Sequence, residues 1–243
     1  MKTVLITGAS RGIGAATAKL FAANGYTVAI NYHCSKNCAE QVVNEIIAAG
    51  GDAFAVCADV SDENAVCDMM KAVLQRCGHL DVFIHNAGFA QQSLLTETTT
   101  KEWHRMLGVH VDGAFYCCRE VIPAMLKSGG GKILVVSSMW GVTGASCEVA
   151  YSTAKAALIG FSKALAKELG PSNITVNCVA PGVINTNMCD GLDDQTMQEL
   201  KEETPLQRIG TPEDIANTLL FLSSDKASFI TGQVIGVNGG FVI

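Results

Sequence analysis

The sequence predicts an α/β fold, in which a single doubly wound domain spanning residues 1–243 builds a parallel seven-stranded sheet with helices on both faces. Two observations predict it. Short apolar runs rich in β-branched residues alternate with helical segments along the whole chain, which is typical of parallel strands joined by crossover helices. Glycine-containing turns follow several of these runs, beginning with TGASRGIG at residues 7–14.

The apolar periodicity gives the order of the elements. Strands are predicted at residues 2–7, 26–32, 53–57, 82–85, 132–136, 174–179 and 233–237. Helices are predicted at residues 15–25, 36–49, 63–77, 100–126, 151–169 and 212–222. Residues 185–205 carry few strong apolar positions, so we expect a lid over a binding site. In such folds the ligand binds at the carboxyl ends of the strands.

Charge and hydropathy exclude several classes of protein. The net charge is -6 and Lys and Arg do not cluster, which argues against a nucleic-acid-binding protein. The N-terminal apolar run Val4–Ile6 is too short for a signal peptide, and no apolar stretch approaches the ~20 residues of a membrane span. We therefore expect a cytoplasmic protein that binds no membrane.

Cysteine is frequent in this chain, with 10 residues, but no pair has the C-x-x-C spacing of a metal or redox site. His33, Cys34 and Cys38 are the nearest approach to a set of metal ligands, and such a set on its own is weak support for a metal. We expect free thiols, as in a reducing compartment, and no metal site.

The turn at residues 7–14 follows the first strand and opens the first helix. Its spacing is G-x-x-x-G-x-G. Glycines let the backbone approach a pyrophosphate, and a helix N-terminus attracts its charge. This strand–turn–helix context favours a dinucleotide cofactor.

The second predicted strand ends without the acidic residue that binds the adenosine ribose in NAD-specific folds, since the first acidic residue of the chain is Glu40. A 2′-phosphate would be repelled by a carboxylate there and bound by Arg11, with Asn31, Ser35 and Lys36 as further donors. We therefore favour NADP(H). The alternative for Ser35 and Lys36 is ordinary polar surface.

Two more strand ends carry candidate cofactor residues. Asp59, followed by Val60, lies where it can accept from an adenine amino group or cap the next turn. The turn Asn86-Ala87-Gly88 lets backbone pass close to a ligand.

The stretch SSMWGVTGASCEVAYSTAK, residues 137–155, carries the candidate chemistry. Tyr151 and Lys155 share a face if they lie on a helix, and Ser138 follows a predicted strand. A phenol titrates near ~10, and a neighbouring ammonium lowers its pKa toward that of a usable acid. The alternative is an amphipathic helix with Tyr151 and Lys155 on its surface.

These motifs together resemble those of the short-chain dehydrogenases/reductases, over essentially the whole chain. The resemblance rests on the order and spacing of TGASRGIG, Asp59-Val60, Asn86-Ala87-Gly88, Ser138, Tyr151-x3-Lys155 and Pro181-Gly182…Thr186. Within the family the chain is most similar to the 3-oxoacyl-acyl-carrier-protein reductases. The stretch SSMWGVTGASCEVAY and the C-terminal ITGQVIGVNGGFVI also resemble reductases of the 5-aminopentanone modification on elongation factor P.

The resemblance implies a Rossmann fold and an NADPH-dependent ketoreductase. Tyr151 would donate a proton to the carbonyl oxygen as hydride reaches the carbon, and Ser138 would hydrogen-bond the same oxygen. Lys155 would lower the pKa of Tyr151 and hold the nicotinamide ribose, while Ile184 and Thr186 would hold the carboxamide. The residues predicted to bind the cofactor are Gly8, Ser10, Arg11, Gly12, Ile13, Gly14, Asn31, Ser35, Asp59, Val60, Asn86, Ala87, Gly88, Tyr151, Lys155, Pro181, Gly182, Ile184 and Thr186.

One position departs from the family pattern. Where the family has an Asn that anchors a water in a proton relay to Lys155, this chain has His110. An imidazole also holds a water, so we expect His110 to take that role and to add a titration near ~6.5.

Substrate is predicted from the residues between Ser138 and Tyr151. Trp140 and Glu148 place an indole and a carboxylate beside the acid, which favours a cationic ketone. The alternative is that Glu148 caps the helix of Tyr151 and Trp140 packs under the lid. An acyl carrier protein would need positive charge near the mouth, where the turn at 129–131 offers Lys132.

The expected partners are a carrier-linked or free ketone, on acyl carrier protein or on elongation factor P. The resemblance also implies a homotetramer with contacts through residues 100–126, 151–169 and the C-terminal strand. A different class of function, a non-catalytic nucleotide-binding regulator, uses the same fold but requires a broken acid, and Ser138, Tyr151 and Lys155 are all present.

Overall fold

The computed structural model describes residues 1–189, 191 and 193–243. Within them, seven parallel strands form one sheet in the order β3-β2-β1-β4-β5-β6-β7. The strands are Thr3–Ile6 (β1), Thr27–Tyr32 (β2), Asp52–Cys57 (β3), Val82–His85 (β4), Gly131–Val136 (β5), Ile174–Pro181 (β6) and Val234–Val237 (β7). The predicted doubly wound α/β fold is confirmed.

Helices connect the strands and cover the sheet. The α-helices are Gly12–Ala23 (α1), Lys36–Ala48 (α2), Glu63–Cys77 (α3), Thr100–Leu107 (α4), Gly113–Lys127 (α5), Trp140–Thr143 (α6), Val149–Leu169 (α7), Asp194–Glu203 (α8) and Pro212–Ser223 (α9). None of the helices in the described part of the chain is long and apolar enough to cross a bilayer.

Two apolar clusters fill the space between the sheet and its two helical layers. Successive residues of a strand point to opposite faces, so Val4 and Ile6 of β1 join Phe21 in one cluster while Leu5 joins Val121 in the other. Because both faces of β1 are buried, its apolar residues Val4, Leu5 and Ile6 are consecutive rather than alternating.

The strand order reverses between β1 and β4, because the chain runs outward from β1 to β3 and then crosses to the far side of β1. In parallel sheets this reversal opens a crevice at the carboxyl ends of the strands. The ends of β1, β4, β5 and β6 all lie along this edge, which is where the sequence predicts the site.

The predicted helix at 100–126 is interrupted. Between α4 and α5, Gly108–Asp112 forms a π-helical turn, in which the N–H of Gly113 bonds the carbonyl of Gly108. Single π turns inside helices occur frequently at functional sites. His110 lies at the centre of this turn.

The predicted lid at 185–205 consists of a short 3-10 turn at Asn187–Cys189 and of α8. Two of its residues, Asp190 and Leu192, lie outside the described residues. Ile184 pairs with Gly210 in a parallel bridge, which ties the two ends of the segment together.

Candidate active site

A continuous cleft runs along the carboxyl edge of the sheet. One half, with a volume of about 480 Å³, is lined by Gly8, Ser10, Arg11 and Gly12. The other half, of about 430 Å³, is lined by Ser138, Trp140, Glu148, Tyr151 and Lys155. The halves share Ile13, Asn86, Gly88 and Thr186. The structure thus brings Ser138, Tyr151, Lys155 and the predicted cofactor residues of the glycine turn into one cleft.

Glycine is required in the turn between β1 and α1 by backbone conformation and by space. Gly8 has φ +63°, and a Cβ there would lie 2.8 Å from the Cα of Ala87. A Cβ at Gly14 would lie 2.6 Å from the carbonyl oxygen of Gly8 and 2.7 Å from Nδ2 of Asn86. Side chains at either position would push the turn away from the cleft.

The N-terminus of α1 is open to an anion. No side chain caps it and no acidic residue lies in its first turn. Its free N–H groups and the helix dipole favour a phosphate. The Arg11 guanidinium hydrogen-bonds the Ser35 hydroxyl beside it. These residues fit the pyrophosphate and the 2′-phosphate of a dinucleotide.

Asn31 does not face the cleft, and its prediction as a 2′-phosphate donor is wrong. The side chain is 2% exposed. Its Oδ1 accepts from the N–H of Gly8 at 3.2 Å, and its Nδ2 donates to the carbonyl of Ala58 at 3.1 Å. The amide instead fixes the glycine turn. Lys36 forms an ion pair with Glu40 at 3.6 Å.

Asp59 caps the turn after β3. Its Oδ1 accepts from the N–H and the hydroxyl of Ser61, at 2.9 and 2.7 Å, and its Oδ2 lies 3.7 Å from Nε2 of His33. Burial raises the pKa of Asp59, but the hydrogen bonds from Ser61 outweigh it, so the pKa is lowered overall. The neighbouring Val60 is buried, and a Cβ at Gly113 would lie 3.0 Å from its side chain.

The Asn86-Ala87-Gly88 turn is fixed to the glycine turn. Nδ2 of Asn86 donates to the carbonyls of Thr7 and Gly8, at 3.0 and 3.1 Å. The N–H groups of Asn86 and Ala87 both donate to Oγ1 of Thr7 at 3.0 Å. Gly88 has no room for a side chain, because a Cβ there would lie 2.3 Å from Cε1 of His110.

Ser138, Tyr151 and Lys155 meet at the end of β5. Ser138 follows β5, and its side chain lines the same cavity as that of Tyr151 in α7. Oγ of Ser138 also accepts from the N–H of Trp140 at 3.2 Å. Lys155, one turn along α7, places its Nζ 5.5 Å from the Tyr151 ring centroid. All three are buried, so the alternative of a surface Tyr and Lys is wrong.

The pKa of Tyr151 moves in the direction opposite to the prediction. Burial raises it to about 12, although the Ser138 hydroxyl acts to lower it. Burial also lowers the pKa of Lys155 to about 8. The Lys155 ammonium donates to the carbonyl of Val136 at 2.9 Å. Both shifts disfavour the charged forms in a site that excludes water.

His110 packs between Tyr151 and the loop after β4. Its ring is edge-on to that of Tyr151, with centroids 5.7 Å apart. Its Nε2 lies 2.9 Å from the carbonyl oxygen of Phe89, and its Nδ1 is buried without a partner among the described residues. Burial, with the charge of Lys155, holds the pKa of His110 well below 6.5, so the predicted titration near that value is wrong. Its role in a water relay stays a prediction.

Glu148 and Trp140 lie at the far end of the cleft. Glu148 directly precedes α7, at its N-cap position, but makes no side-chain capping bond, so the capping alternative is wrong. Its Oε1 accepts from Nε2 of Gln92 at 3.3 Å. Burial raises the pKa of Glu148, and the hydrogen bond from Gln92 partly offsets this. Trp140 packs edge-on against Phe241 near the C-terminus, with centroids 5.8 Å apart.

The segment after β6 forms the remaining wall. Gly182 packs against Asn238, where a Cβ would lie 2.7 Å from Cα, and the carbonyl of Pro181 accepts from the N–H of Met139 at 2.9 Å. Ile184 is buried, and Oγ1 of Thr186 accepts from the N–H of Met188 at 3.3 Å. The wall therefore lies between the predicted cofactor half and the lid.

Comparison with known proteins now identifies the family. The family described as enoyl-(acyl carrier protein) reductase matches residues 8–242. The chain belongs to the short-chain dehydrogenases/reductases. It is 45% identical over 239 residues to the 3-oxoacyl-[acyl-carrier-protein] reductase FabG of Staphylococcus aureus, covering 98% of this chain and 97% of that protein.

Two further relatives carry the same name. The chain is 41% identical over 243 residues to the 3-oxoacyl-[acyl-carrier-protein] reductase of Synechocystis sp., covering 100% of this chain and 97% of the relative. It is 40% identical over 242 residues to the FabG of Chlamydia muridarum, covering 98% of this chain and 96% of that relative. The predicted family and enzyme class, an oxidoreductase that uses a nicotinamide cofactor, are confirmed.

This short-chain dehydrogenase/reductase also contains site residues that sequence reasoning missed. Thr7 and His85 lie at the ends of β1 and β4, where they join the hydrogen-bond network beneath the cleft. Gln92, in the loop after β4, reaches Glu148. His85 could have been predicted from the sequence, because a polar side chain at the carboxyl end of a buried strand indicates a position near the site. No local pattern indicates Gln92.

Proposed function

We propose that the protein reduces the ketone of a 3-oxoacyl thioester with NADPH as the hydride donor. The observation that carries the proposal is that Ser138, Tyr151 and Lys155 line one cavity, in the same cleft as the open N-terminus of α1. Full-length similarity to reductases named for 3-oxoacyl groups on acyl carrier protein supports the same substrate class.

The cofactor end of the cleft supports NADPH over NADH. Arg11 and Ser35 form one polar cluster near the end of β2, and the sequence that follows this strand carries no acidic residue before Glu40. When bound, NADPH would supply the hydride. The glycine turn and the α1 N-terminus would hold its pyrophosphate, and Ile184 and Thr186 would hold its carboxamide.

Tyr151 and Ser138 act on the carbonyl oxygen. Because the pKa of Tyr151 is about 12, its phenol keeps the proton at neutral pH and donates it as negative charge develops on that oxygen. The Ser138 hydroxyl accepts from the Trp140 N–H, which leaves its own proton to donate to the same oxygen. Lys155, 5.5 Å from the Tyr151 ring, then stabilises the phenolate.

We also propose a lid, a carrier protein for the substrate, an oligomeric state and a cellular location. Residues 185–205 act as a lid that excludes water from the closed cleft. Acyl carrier protein presents the thioester, the enzyme works as a homotetramer, and it resides in the cytoplasm. The scarcity of strong apolar positions in residues 185–205 supports the lid, and the family resemblance supports the carrier-linked thioester and the homotetramer.

The test is a kinetic comparison of NADPH and NADH with an acetoacetyl thioester. We expect NADPH to be oxidised in a thioester-dependent way. The matched variant Tyr151→Phe removes only the hydroxyl, so turnover should fall by a factor of roughly 10²–10⁴ while NADPH still binds. Binding of NADPH without turnover of any ketone would instead favour the nucleotide-binding regulator.

A second candidate function is favoured by Glu148. Its carboxylate is partly buried in the substrate half of the cleft, beside Trp140, and Gln92 donates to one of its oxygens. A carboxylate and an aromatic face both attract a cation. This supports an amine-bearing ketone, such as the 5-aminopentanone modification on elongation factor P.

Substrate competition separates the two candidates. If the second one holds, kcat/KM for an aminoketone exceeds that for the acetoacetyl thioester, and Glu148→Gln lowers only the aminoketone value, by about tenfold or more. A preference for the thioester that Glu148→Gln leaves unchanged would reject the cationic substrate.

A further inference from the structure

A second buried histidine, His85, lies at the end of β4, directly before the Asn86-Ala87-Gly88 turn, and is 0% exposed. Its Nε2 lies 3.0 Å from the carbonyl oxygen of His110, and its Nδ1 lies 3.4 Å from Oγ1 of Thr7. A carbonyl oxygen only accepts, so Nε2 carries the ring proton and Nδ1 accepts from the Thr7 hydroxyl. Burial, with the charge of Lys155, lowers the pKa of His85 to about 3, which keeps this neutral form.

The Thr7 end of this contact reaches the cofactor half of the cleft. Oγ1 of Thr7 accepts from the N–H groups of Asn86 and Ala87, both at 3.0 Å. With its proton directed to His85, the hydroxyl makes three hydrogen bonds and is saturated. The hydroxyl proton has two acceptors at nearly equal distance, Nδ1 of His85 at 3.4 Å and the carbonyl of Ile84 at 3.5 Å. The bond to His85 is the side-chain contact that can orient the hydroxyl that holds the turn.

The other end reaches Tyr151. His110 belongs to the π-helical turn, and its ring stands edge-on to that of Tyr151. Nε2–H of His85 holds the main-chain carbonyl of the same residue. Because the carbonyl is fixed by His85 and the ring Nε2 by Phe89, neither the backbone nor the ring of His110 is free to shift.

We propose that His85 is a positioning residue that joins the cofactor turn to the proton donor. It acts through Thr7 on one side and through His110 on the other, and it touches neither cofactor nor substrate. The expected change in kcat rests on the proposed reductase function. The contact of Nδ1 with Thr7 and the contact of Nε2 with His110 are the two arms of His85, and they are separable because each uses a different ring nitrogen.

Two pairs of variants separate the arms. In His85→Asn, the amide Oδ1 takes the place of Nδ1 and still accepts from Thr7, but the donor to His110 is lost. In His85→Gln, the longer side chain returns a donor near the Nε2 position. Thr7→Val removes the hydroxyl, and Thr7→Ser keeps it.

We expect His85→Asn to lower kcat about tenfold and to leave the Kd of NADPH within about twofold, since one buried hydrogen bond is lost on the Tyr151 side. Thr7→Val should raise the Kd of NADPH about tenfold. Relative to these variants, His85→Gln should recover most of the lost kcat, and Thr7→Ser should recover most of the lost NADPH affinity. His79→Asn, in the connection between α3 and β4, is the control for histidine replacement and should change neither constant. Thermal unfolding of each variant shows whether it is folded.

Equal losses of kcat and NADPH affinity in both His85→Asn and Thr7→Val would overturn the proposal, because they would indicate general disruption. So would the absence of any change in either variant.

A measurement that needs no activity completes the test. In protein with ¹⁵N-labelled histidine, the ring signals of His85 should show the neutral form with the proton on Nε2 at neutral and mildly acidic pH, and Thr7→Val should shift its Nδ1 signal. A proton on Nδ1 would overturn the proposal even if ketones are reduced. If the Nε2 form is present and Thr7→Val weakens NADPH binding, but no ketone is reduced, only the proposed reductase function fails.

Discussion

The ammonium of Lys155 donates a hydrogen bond to the main-chain carbonyl of Val136 at 2.9 Å. Lys155 is 4% exposed, and burial lowers its pKa to about 8. The charged form that stabilises a phenolate thus carries a desolvation cost in the protein alone. The position of Lys155 serves Tyr151 rather than the stability of the fold, which is a common property of active-site residues.

Replacement of Lys155 by Met should stabilise the cofactor-free protein at neutral pH. The folded-state pKa of about 8 lies below the ordinary value of 10.5. Between these values the unfolded chain binds more protons, so wild-type stability rises with pH across this window. Below about pH 8, Lys155 is charged in the folded protein as well, so the wild type carries the full free-energy cost of burying that charge. We expect Lys155→Met to raise the free energy of unfolding by on the order of 2 kcal/mol near pH 7. This figure already includes the loss of the hydrogen bond to the carbonyl of Val136.

Denaturant unfolding over a series of pH values measures this effect. The advantage of Lys155→Met should shrink as the pH rises from about 8 toward about 10.5, where Lys155 is neutral in both states. Lys167→Met, at an exposed position of the same helix, is the matched control and should show no such trend. An advantage of constant size at every pH would contradict the buried-charge explanation.

Arg11→Ala should change cofactor preference. The guanidinium lies beside the Ser35 hydroxyl at the end of β2, where it would pair with a 2′-phosphate. We expect the KM for NADPH to rise by about 10- to 100-fold, the loss of a charge-assisted contact, while the KM for NADH changes little. Initial rates with both cofactors measure this.

The control is Lys19→Ala, because Lys19 is an exposed residue of α1 whose ammonium is paired with Glu45. It should leave the NADPH preference intact. Equal losses with NADPH and NADH in Arg11→Ala would show that Arg11 acts on the turn as a whole and not on the 2′-phosphate.

The fold could be predicted because its strands are locally encoded. The predicted strand at 82–85 coincides with β4, and the one at 2–7 contains β1, Thr3–Ile6. Buried parallel strands are continuous apolar runs, and their carboxyl ends share one edge, so the motifs that follow them converge. That is why Ser138 and Gly8 were predicted in one site.

The errors concern properties that depend on distant contacts. Asn31 is polar and lies at a strand end, but the glycine turn of β1 covers it. The pKa of Tyr151 was predicted from its neighbour Lys155, whereas burial by other elements dominates. The π turn at Gly108–Asp112 has no local signal, and one of its carbonyls is held by His85 from another element.

The contact between Gly88 and His110 gives the last prediction. A methyl group at position 88 would lie 2.3 Å from Cε1 of the buried His110 ring. Gly88→Ala should therefore destabilise the protein by about 2 kcal/mol, as is typical of overpacking in a site that cannot relax. Its rate of reduction should also fall, because the ring that moves is packed on Tyr151. In a His110→Ala background the clash is absent and the same change should cost far less. A double-mutant cycle by denaturant unfolding should give a coupling of at least about 1 kcal/mol.

Gly160→Ala is the control for replacing glycine by alanine. Gly160 is exposed in α7 with nothing within 4 Å of its Cβ position, so this change should stabilise the helix by about 0.5–1 kcal/mol. Additive effects of Gly88→Ala and His110→Ala would contradict the contact.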